Sequence, residues 1–378
     1  MALLSHLHRA VQVPCQLVCR SFGGRRVLAA FERLYRPRCI AHGLPQPACT
    51  PMTSDFKGAR VLITGGLGFI GSNLARRLAG LGADLTLVDS LIPEYGGNLF
   101  NIEGVRDQVH VNVSDVRDIY SMRNLVQDKD YLFNLAGQTS HLDSMHNPVP
   151  DLEINCLAQL SILEACRICN PGVKIVFAST RQIYGRPVSL PVTETHPLQP
   201  VDINGINKMA AEKYHLLYSD VYGLHATALR LTNTIGPRMR IKDARQTFVG
   251  LWIRQLLENK PIEVWGGKQL RDFTDVEDAV DAFLLAASNP ATKGQVYNLG
   301  GSEVIELAGL AKLMVEIYGG GQYAVSEFPA ERRAIDIGDY YADFAKIRSE
   351  LGWAPKRTLR ETIESTLAYY RKSIAHYL

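Results

Sequence analysis

Apolar residues in this chain come in short unbroken runs, and between the runs they recur at helical spacing. Val61-Leu62-Ile63, Leu85-Thr86-Leu87-Val88-Asp89, His110-Val111-Asn112-Val113, Tyr131 to Gly137 and Lys174 to Ala178 read as strands. Ser72 to Leu81 and Leu152 to Asn170 read as helices between them. This alternation predicts a doubly wound α/β fold, a parallel sheet with helices on both faces. Further on, Thr358-Leu359-Arg360-Glu361 is a capping box, and Leu359, Ile363, Leu367 and Tyr370 make an apolar stripe, so a structural helix is expected there. Trp353 is expected to pack the loop before it.

The first strand runs into Thr64-Gly65-Gly66-Leu67-Gly68-Phe69-Ile70-Gly71. Three spaced glycines alone fit a structural turn equally well, but here a strand precedes them and an apolar helix start follows. Glycines in that position let the backbone approach a pyrophosphate, whose charge meets free N–H groups at the helix start. Asp89 ends the second strand 18 residues beyond Gly71, where a ribose 2′-hydroxyl would be held. Its carboxylate would repel a 2′-phosphate, and Ser90-Leu91-Ile92 offer no arginine to hold one, so NAD is expected rather than NADP.

The length of 378 residues allows one compound or two adjacent domains, and 46% hydrophobic with 21% charged residues describes a globular protein. No apolar run reaches the roughly 18 residues of a membrane span. The net charge of +3 conceals an asymmetry: residues 1–51 carry seven arginines and one acidic residue, Glu32, and the remainder is net negative. A basic surface for nucleic acid is therefore not expected of the folded part. The basic segment fits a mitochondrial presequence, or an upstream extension with Met52 as the natural start, and the second reading is preferred. Either way residues 1–55 are expected to be disordered and outside the fold. Cys15, Cys19, Cys39 and Cys49 fit no standard metal spacing, and no metal is expected. Cys156, Cys166 and Cys169 share one helical stretch and read as reduced cysteines of a cytoplasmic protein, or a mitochondrial one if the presequence reading holds.

Several short motifs occur in order: the glycine turn, Asp89, Asp115-Val116-Arg117-Asp118, Asn134-Leu135-Ala136-Gly137, Asn155, Ser179-Thr180 before Ile183-Tyr184-Gly185, Lys208, Leu229 to Asn233 before Gly236-Pro237-Arg238, and Arg271-Asp272-Phe273. Together, over about residues 57–372, they resemble the extended short-chain dehydrogenase/reductases, in particular the NAD-dependent nucleotide-sugar epimerase/dehydratase family. The resemblance implies a Rossmann domain at 57–235 with a return near 270–305, and a smaller substrate domain from 236–269 and 306–378. It implies that Gly65, Gly68, Phe69, Ile70, Gly71 and Asp89 hold NAD, with Asp115 and Val116 at the adenine, Ala136 and Gly137 under the cofactor, and Lys208 on the nicotinamide ribose. Asn155 would belong to the helix backing the site, as a catalytic or a structural asparagine.

The pattern breaks four residues before Lys208, where the family carries a tyrosine that takes a proton from a sugar hydroxyl. Here the residue is Asn204, and an amide neither gains nor loses a proton near neutral pH. Tyr184 as substitute base, or a water held by Asn204 and Thr180 beside Lys208, would have to replace it. Thr180 matches the catalytic Ser/Thr. Related dehydratases follow it with Asp-Glu and related decarboxylases carry the Glu, whereas this chain has Arg181-Gln182, which disfavours elimination and decarboxylation.

On the substrate side, the resemblance puts Asn233, Arg271 and Arg333 at a diphosphate, because a guanidinium binds two phosphate oxygens at once. The expectation is an epimerase of a nucleoside diphosphate-sugar with Thr180, Lys208 and Asn204 in the active site. A reductase or dehydrogenase, or a binding protein without chemistry, are the rivals. Similar enzymes pair through helices equivalent to Leu152–Asn170 and Gly205–Tyr222, so a homodimer is expected.

Overall fold

The computed structural model describes residues 55–378. The expected N-terminal extension, with Cys15, Cys19, Cys39, Cys49 and Met52, lies outside the described residues.

Seven strands form the main sheet: β1 (Arg60–Thr64), β2 (Asp84–Asp89), β3 (Val109–Val113), β4 (Tyr131–Asn134), β5 (Lys174–Thr180), β6 (His225–Leu231) and, after three short strands, β10 (Val296–Asn298). Their order is β10-β6-β5-β4-β1-β2-β3, and every neighbouring pair is parallel. This is the expected doubly wound sheet, and strand order reverses between β1 and β4, which opens a crevice at their carboxyl ends. Side chains alternate across it: Val61 and Ile63 pack into a core with Leu74, Leu78 and Phe283, whereas Leu62 faces Leu132, Ile162 and Cys166 on the other side. A parallel sheet buried on both faces gives the continuous apolar runs seen in the sequence.

The intervening strands β7 (Asn233–Ile235), β8 (Ile262–Trp265) and β9 (Leu270–Asp275) and the later β11 (Val304–Glu306) and β12 (Tyr323–Ser326) build two small sheets, β11-β9-β7 and β12-β8. A separate apolar cluster joins β8 to the helices Phe248–Leu257, Leu307–Tyr318 and Leu359–Ser373. The last of these carries the expected capping box, Thr358 with Glu361, and buries Leu359, Ile363, Leu367 and Tyr370. Trp353 is buried and donates its indole N–H to the carbonyl of Asp278 at 2.9 Å.

The expectation and the structure differ most at three places. The first helix begins at Phe69 rather than Ser72. β4 ends at Asn134 rather than Gly137, because the Thr64 hydroxyl accepts the N–H groups of Leu135 (3.1 Å) and Ala136 (3.2 Å) and draws the chain out of the ladder. The stretch expected as one helix over Leu152–Asn170 is a helix Pro148–Leu152, a π-helical turn Glu153–Leu157, and a helix Ala158–Cys169. Of the three described cysteines Cys166 is buried while Cys156 and Cys169 are half-buried, and all are free.

Candidate active site

The glycine turn sits where β1 meets the crevice, and its residues leave no room for side chains. A Cβ on Gly71 would lie 2.2 Å from the Gly65 carbonyl oxygen, and one on Gly65, whose φ is +67°, would lie 3.0 Å from the Ala136 nitrogen. The helix that follows has Gly68 at its N-cap, no side-chain cap and no acidic residue in its first turn. Its positive end is thus left to the crevice. Asp89 closes the turn, accepting the N–H groups of Leu67 (3.2 Å) and Leu91 (3.0 Å), and burial raises its pKa.

One cleft collects most of the residues expected from the sequence. Gly65, Gly68, Phe69, Ile70, Gly71, Asp89, Asp115, Val116, Ala136 and Gly137 line one stretch, and Thr180, Asn204, Lys208 and Asn233 line the rest. Asp115 is held by Arg117, whose hydrogen bonds keep its carboxyl below the usual range. The floor at Gly137 is tight: a Cβ there would meet Asn155 Oδ1 at 2.8 Å and Lys208 Nζ at 3.2 Å. Asn155, on the π-helical turn, donates to the Gln138 carbonyl at 2.9 Å and leaves its buried Oδ1 without a partner.

Lys208 lies on the helix Ile203–Tyr222, donates to the Ala178 carbonyl at 3.0 Å and rests 4.9 Å over the Phe177 ring. Burial brings its pKa down to about 8, an effect partly opposed by Asp151. Asp151 is buried and accepts hydrogen bonds from Asn207 (2.8 Å) and Asn204 (2.9 Å). Asn204 also donates to the Gln138 carbonyl at 2.9 Å. A tyrosine at 204 could not make these amide bonds, so the substitution comes with its own local network.

Tyr184 does not reach the cleft lining. It is fully buried, donates to Asn298 Oδ1 at 2.6 Å and accepts from Arg230 at 2.6 Å, and burial pushes its pKa up to about 12. These bonds tie it into the core, and a phenol so held is no base near neutral pH. Arg271 and Arg333 also stay outside the lining. Arg271 is buried on β9, where it donates to the carbonyls of Leu270 and Gly338 and faces Asp336 at 3.4 Å, and the exposed Arg333 donates to the Phe328 carbonyl at 3.1 Å. Backbone oxygens within reach engage both guanidinium groups, contacts that residue spacing does not reveal.

Other side chains in the lining had not been singled out. Arg181, noted in the sequence only for not being a carboxylate, lines the cleft with a buried Nη1 lacking a partner. Ser114 Oγ is likewise buried there and unpaired, as is Nδ2 of the expected Asn233. His141, Gln182 and Tyr95 complete that side. His141 opens a short helix capped by Ser140, a local signal, but its contacts lie far along the chain. Among the described residues no His, Cys, Asp and Glu cluster is arranged to hold a metal ion, and no helix is long and apolar enough to cross a membrane.

Comparison with known proteins shows the family and the fold. Residues 61–300 match the model of the NAD dependent epimerase/dehydratase family. A protein of Methanocaldococcus jannaschii described as a putative UDP-glucose 4-epimerase is 32% identical over 315 residues, covering 83% of this chain and 99% of its own. CDP-paratose 2-epimerase of Salmonella typhi is 30% identical over 341 residues, covering 81% of this chain and 97% of its own. Among solved structures, UDP-glucose 4-epimerase of Thermotoga maritima with UDP-glucose superposes with a TM-score of 0.76 at 30% identity, over 83% of this chain and 99% of that one.

Proposed function

The chain belongs to the NAD dependent epimerase/dehydratase family, and from that premise we propose that it is an epimerase of a nucleoside diphosphate-sugar. One sugar carbon is oxidised transiently and receives its hydride back on the other face. The observation that carries this reading is the pair Arg181-Gln182 beside Thr180 in the cleft: neither side chain is a carboxylate, so neither serves the acid and base steps of elimination.

The residues fit a dinucleotide. Glycines sit where a Cβ would collide, a helix start without a side-chain cap faces the crevice, and polar atoms of Ser114, Arg181 and Asn233 await partners. Gly65, Gly68 and Gly71 would hold the pyrophosphate, Asp89 a ribose, Asp115 and Val116 the adenine, and Lys208 the nicotinamide ribose. Bound NAD supplies a hydride acceptor that later returns the hydride. Thr180 orients the sugar hydroxyl, its Oγ1 already fixed by the Gln182 N–H at 3.2 Å. Lys208, cationic below about pH 8, favours an alkoxide developing nearby. Asn233 and Arg181 offer donors to the diphosphate or to the sugar. Asn204 orients the floor through Asp151 and Gln138 rather than moving a proton.

A homodimer accompanies this reading. The helices Pro148–Leu152, Ala158–Cys169 and Ile203–Tyr222, with the π-helical turn, expose Val149, Leu152, Leu157, Ile168, Leu217 and Val221, an apolar surface suited to a second copy. A cytoplasmic setting fits the three free cysteines.

The test is incubation of the full chain, without added cofactor, with UDP-, GDP-, CDP- and dTDP-sugars. A new sugar isomer supports the reading, and NADH accumulating in step with product assigns a dehydrogenase instead. The rival binding protein without chemistry draws on the commitment of Asn204 to Asp151 and Gln138. Native turnover eliminates it.

A further inference from the structure

Epimerisation needs a group that takes a proton from a sugar hydroxyl, and at the tyrosine position there is an amide. The ionisable side chains in the cleft can be sorted by what already occupies them. Asp89 is bonded to two backbone N–H groups and Asp115 to Arg117. Lys208 and Arg181 are cations, and only Lys208 titrates near neutrality. Burial raises the pKa of Tyr95, with the negative charges of Asp151 and Asp143 adding to the shift, so its phenol stays protonated. His141 is left.

His141 Nδ1 lies 3.0 Å from Asp202 Oδ2, off the line of an ideal hydrogen bond. The Asp202 side chain is fully buried and held from three sides: Oδ1 caps the helix Ile203–Tyr222 through the Gly205 N–H at 2.6 Å, and Oδ2 faces both His141 and the Gln182 amide, which donates at 2.7 Å. These contacts hold its carboxyl below the usual range. A carboxylate fixed beside Nδ1 selects the tautomer with the proton on Nδ1 and leaves Nε2 a lone pair, the arrangement by which a buried acid orients a catalytic imidazole. The His141 side chain is 38% exposed and lines the same cleft as Thr180, Asn204 and Lys208. Gln182 gains a purpose too: a carboxylate there would repel Asp202, whereas its side-chain amide bonds Asp202 and its backbone N–H bonds Thr180 Oγ1.

We propose that His141, oriented by Asp202, is the general acid–base of this site in place of the tyrosine. The inference rests on the epimerase reading above. The hydroxyl O–H bond breaks and its proton goes to His141 Nε2, while the adjacent C–H bond gives its electron pair as hydride to the nicotinamide dinucleotide, leaving a carbonyl. On return the carbon regains hydride and the oxygen regains the proton from His141 Nε2. Asp202 is a positioning residue that stays ionised throughout.

Two measurements test this on the full chain. The first is long-range ¹⁵N–¹H NMR of histidine-labelled protein in the neutral imidazole form, with the His141 signals assigned by their absence in His141→Gln. The Nδ1–H tautomer is expected, with loss of that preference in Asp202→Asn, and an Nε2–H tautomer in the native protein overturns the dyad. The second is kinetic. His141→Gln is expected to lower kcat by about 10²–10⁴-fold, with dissociation constants for NAD and for the sugar nucleotide within about two-fold of native and with partial rescue by added imidazole. Native kcat in His141→Gln, while Lys208→Met is inactive, overturns the role of His141 and leaves the epimerase reading standing. Loss in Tyr95→Phe without loss in His141→Gln moves the role to the phenol and likewise overturns it. A native protein inert toward every sugar nucleotide overturns the epimerase reading itself, and His141's catalytic role with it.

Discussion

Two glycines on the helix Phe69–Gly80 should respond to alanine in opposite directions. At Gly71 an added Cβ would stand 2.2 Å from the Gly65 oxygen and 2.9 Å from the Gly66 Cα. Both obstacles are backbone of the turn itself, so relief needs the helix start to move away by about 1 Å, an overpacking that costs roughly 1–3 kcal/mol. The same displacement misaligns the N–H groups that meet the pyrophosphate. At Gly80 nothing lies within 4 Å, and its φ is outside the left-handed region. Alanine there removes backbone freedom from the unfolded chain and should stabilise by about 0.5–1 kcal/mol. Urea unfolding at constant m-value measures the stability of both variants, and calorimetric titration measures NAD affinity. Gly71→Ala is expected to lose stability and at least about ten-fold in affinity, taking about 1.4 kcal/mol per decade, while Gly80→Ala gains stability and keeps the affinity. Undiminished NAD affinity in Gly71→Ala would refute the placement of the dinucleotide at this turn.

Arg230 and Glu212 form a buried pair with contacts of 2.6 and 3.0 Å, and Ser179 and Tyr184 bond to its members. Arg230→Met strands the carboxylate and should destabilise by about 3–5 kcal/mol, read by denaturant midpoint. His215 is fully buried between Asn134 and the Ala211 carbonyl, and burial brings its pKa down to about 4. Between about pH 6.5 and 4 the unfolded chain takes up a proton that the folded one refuses, so stability falls with pH across this window, by about 3 kcal/mol at 1.36 kcal/mol per unit. His215→Gln should flatten that slope in pH-dependent unfolding. Lys208→Met should abolish turnover, and epimerase activity surviving in that variant would remove the lysine from the mechanism.

The sequence made the backbone half of the site readable and left much of the side-chain half dark. The glycine turn, Asp89 and the small residues after β4 follow from steric and charge requirements that act within a few residues, and they line one cleft. Lys208 and Thr180, singled out through resemblance, line the same cleft. The His141–Asp202 contact spans 61 positions of sequence and depends on a short helix packing beside a longer one, so neither residue type nor spacing announces it. Arg271 shows the opposite: its guanidinium bonds the Gly338 carbonyl and faces Asp336 outside the cleft lining, acceptors that local sequence does not reveal. The π-helical turn at Asn155 escaped because periodicity sees only the average pitch of the surrounding helix.

Running the native reaction in heavy water, with a sugar nucleotide that the full chain interconverts, tests the central claim most directly. Hydride removed and returned at one carbon comes from the substrate and not from solvent, so the account predicts an epimer with no carbon-bound deuterium and no net NADH. Deuterium on a sugar carbon, or loss of water or carbon dioxide from the product, would contradict it.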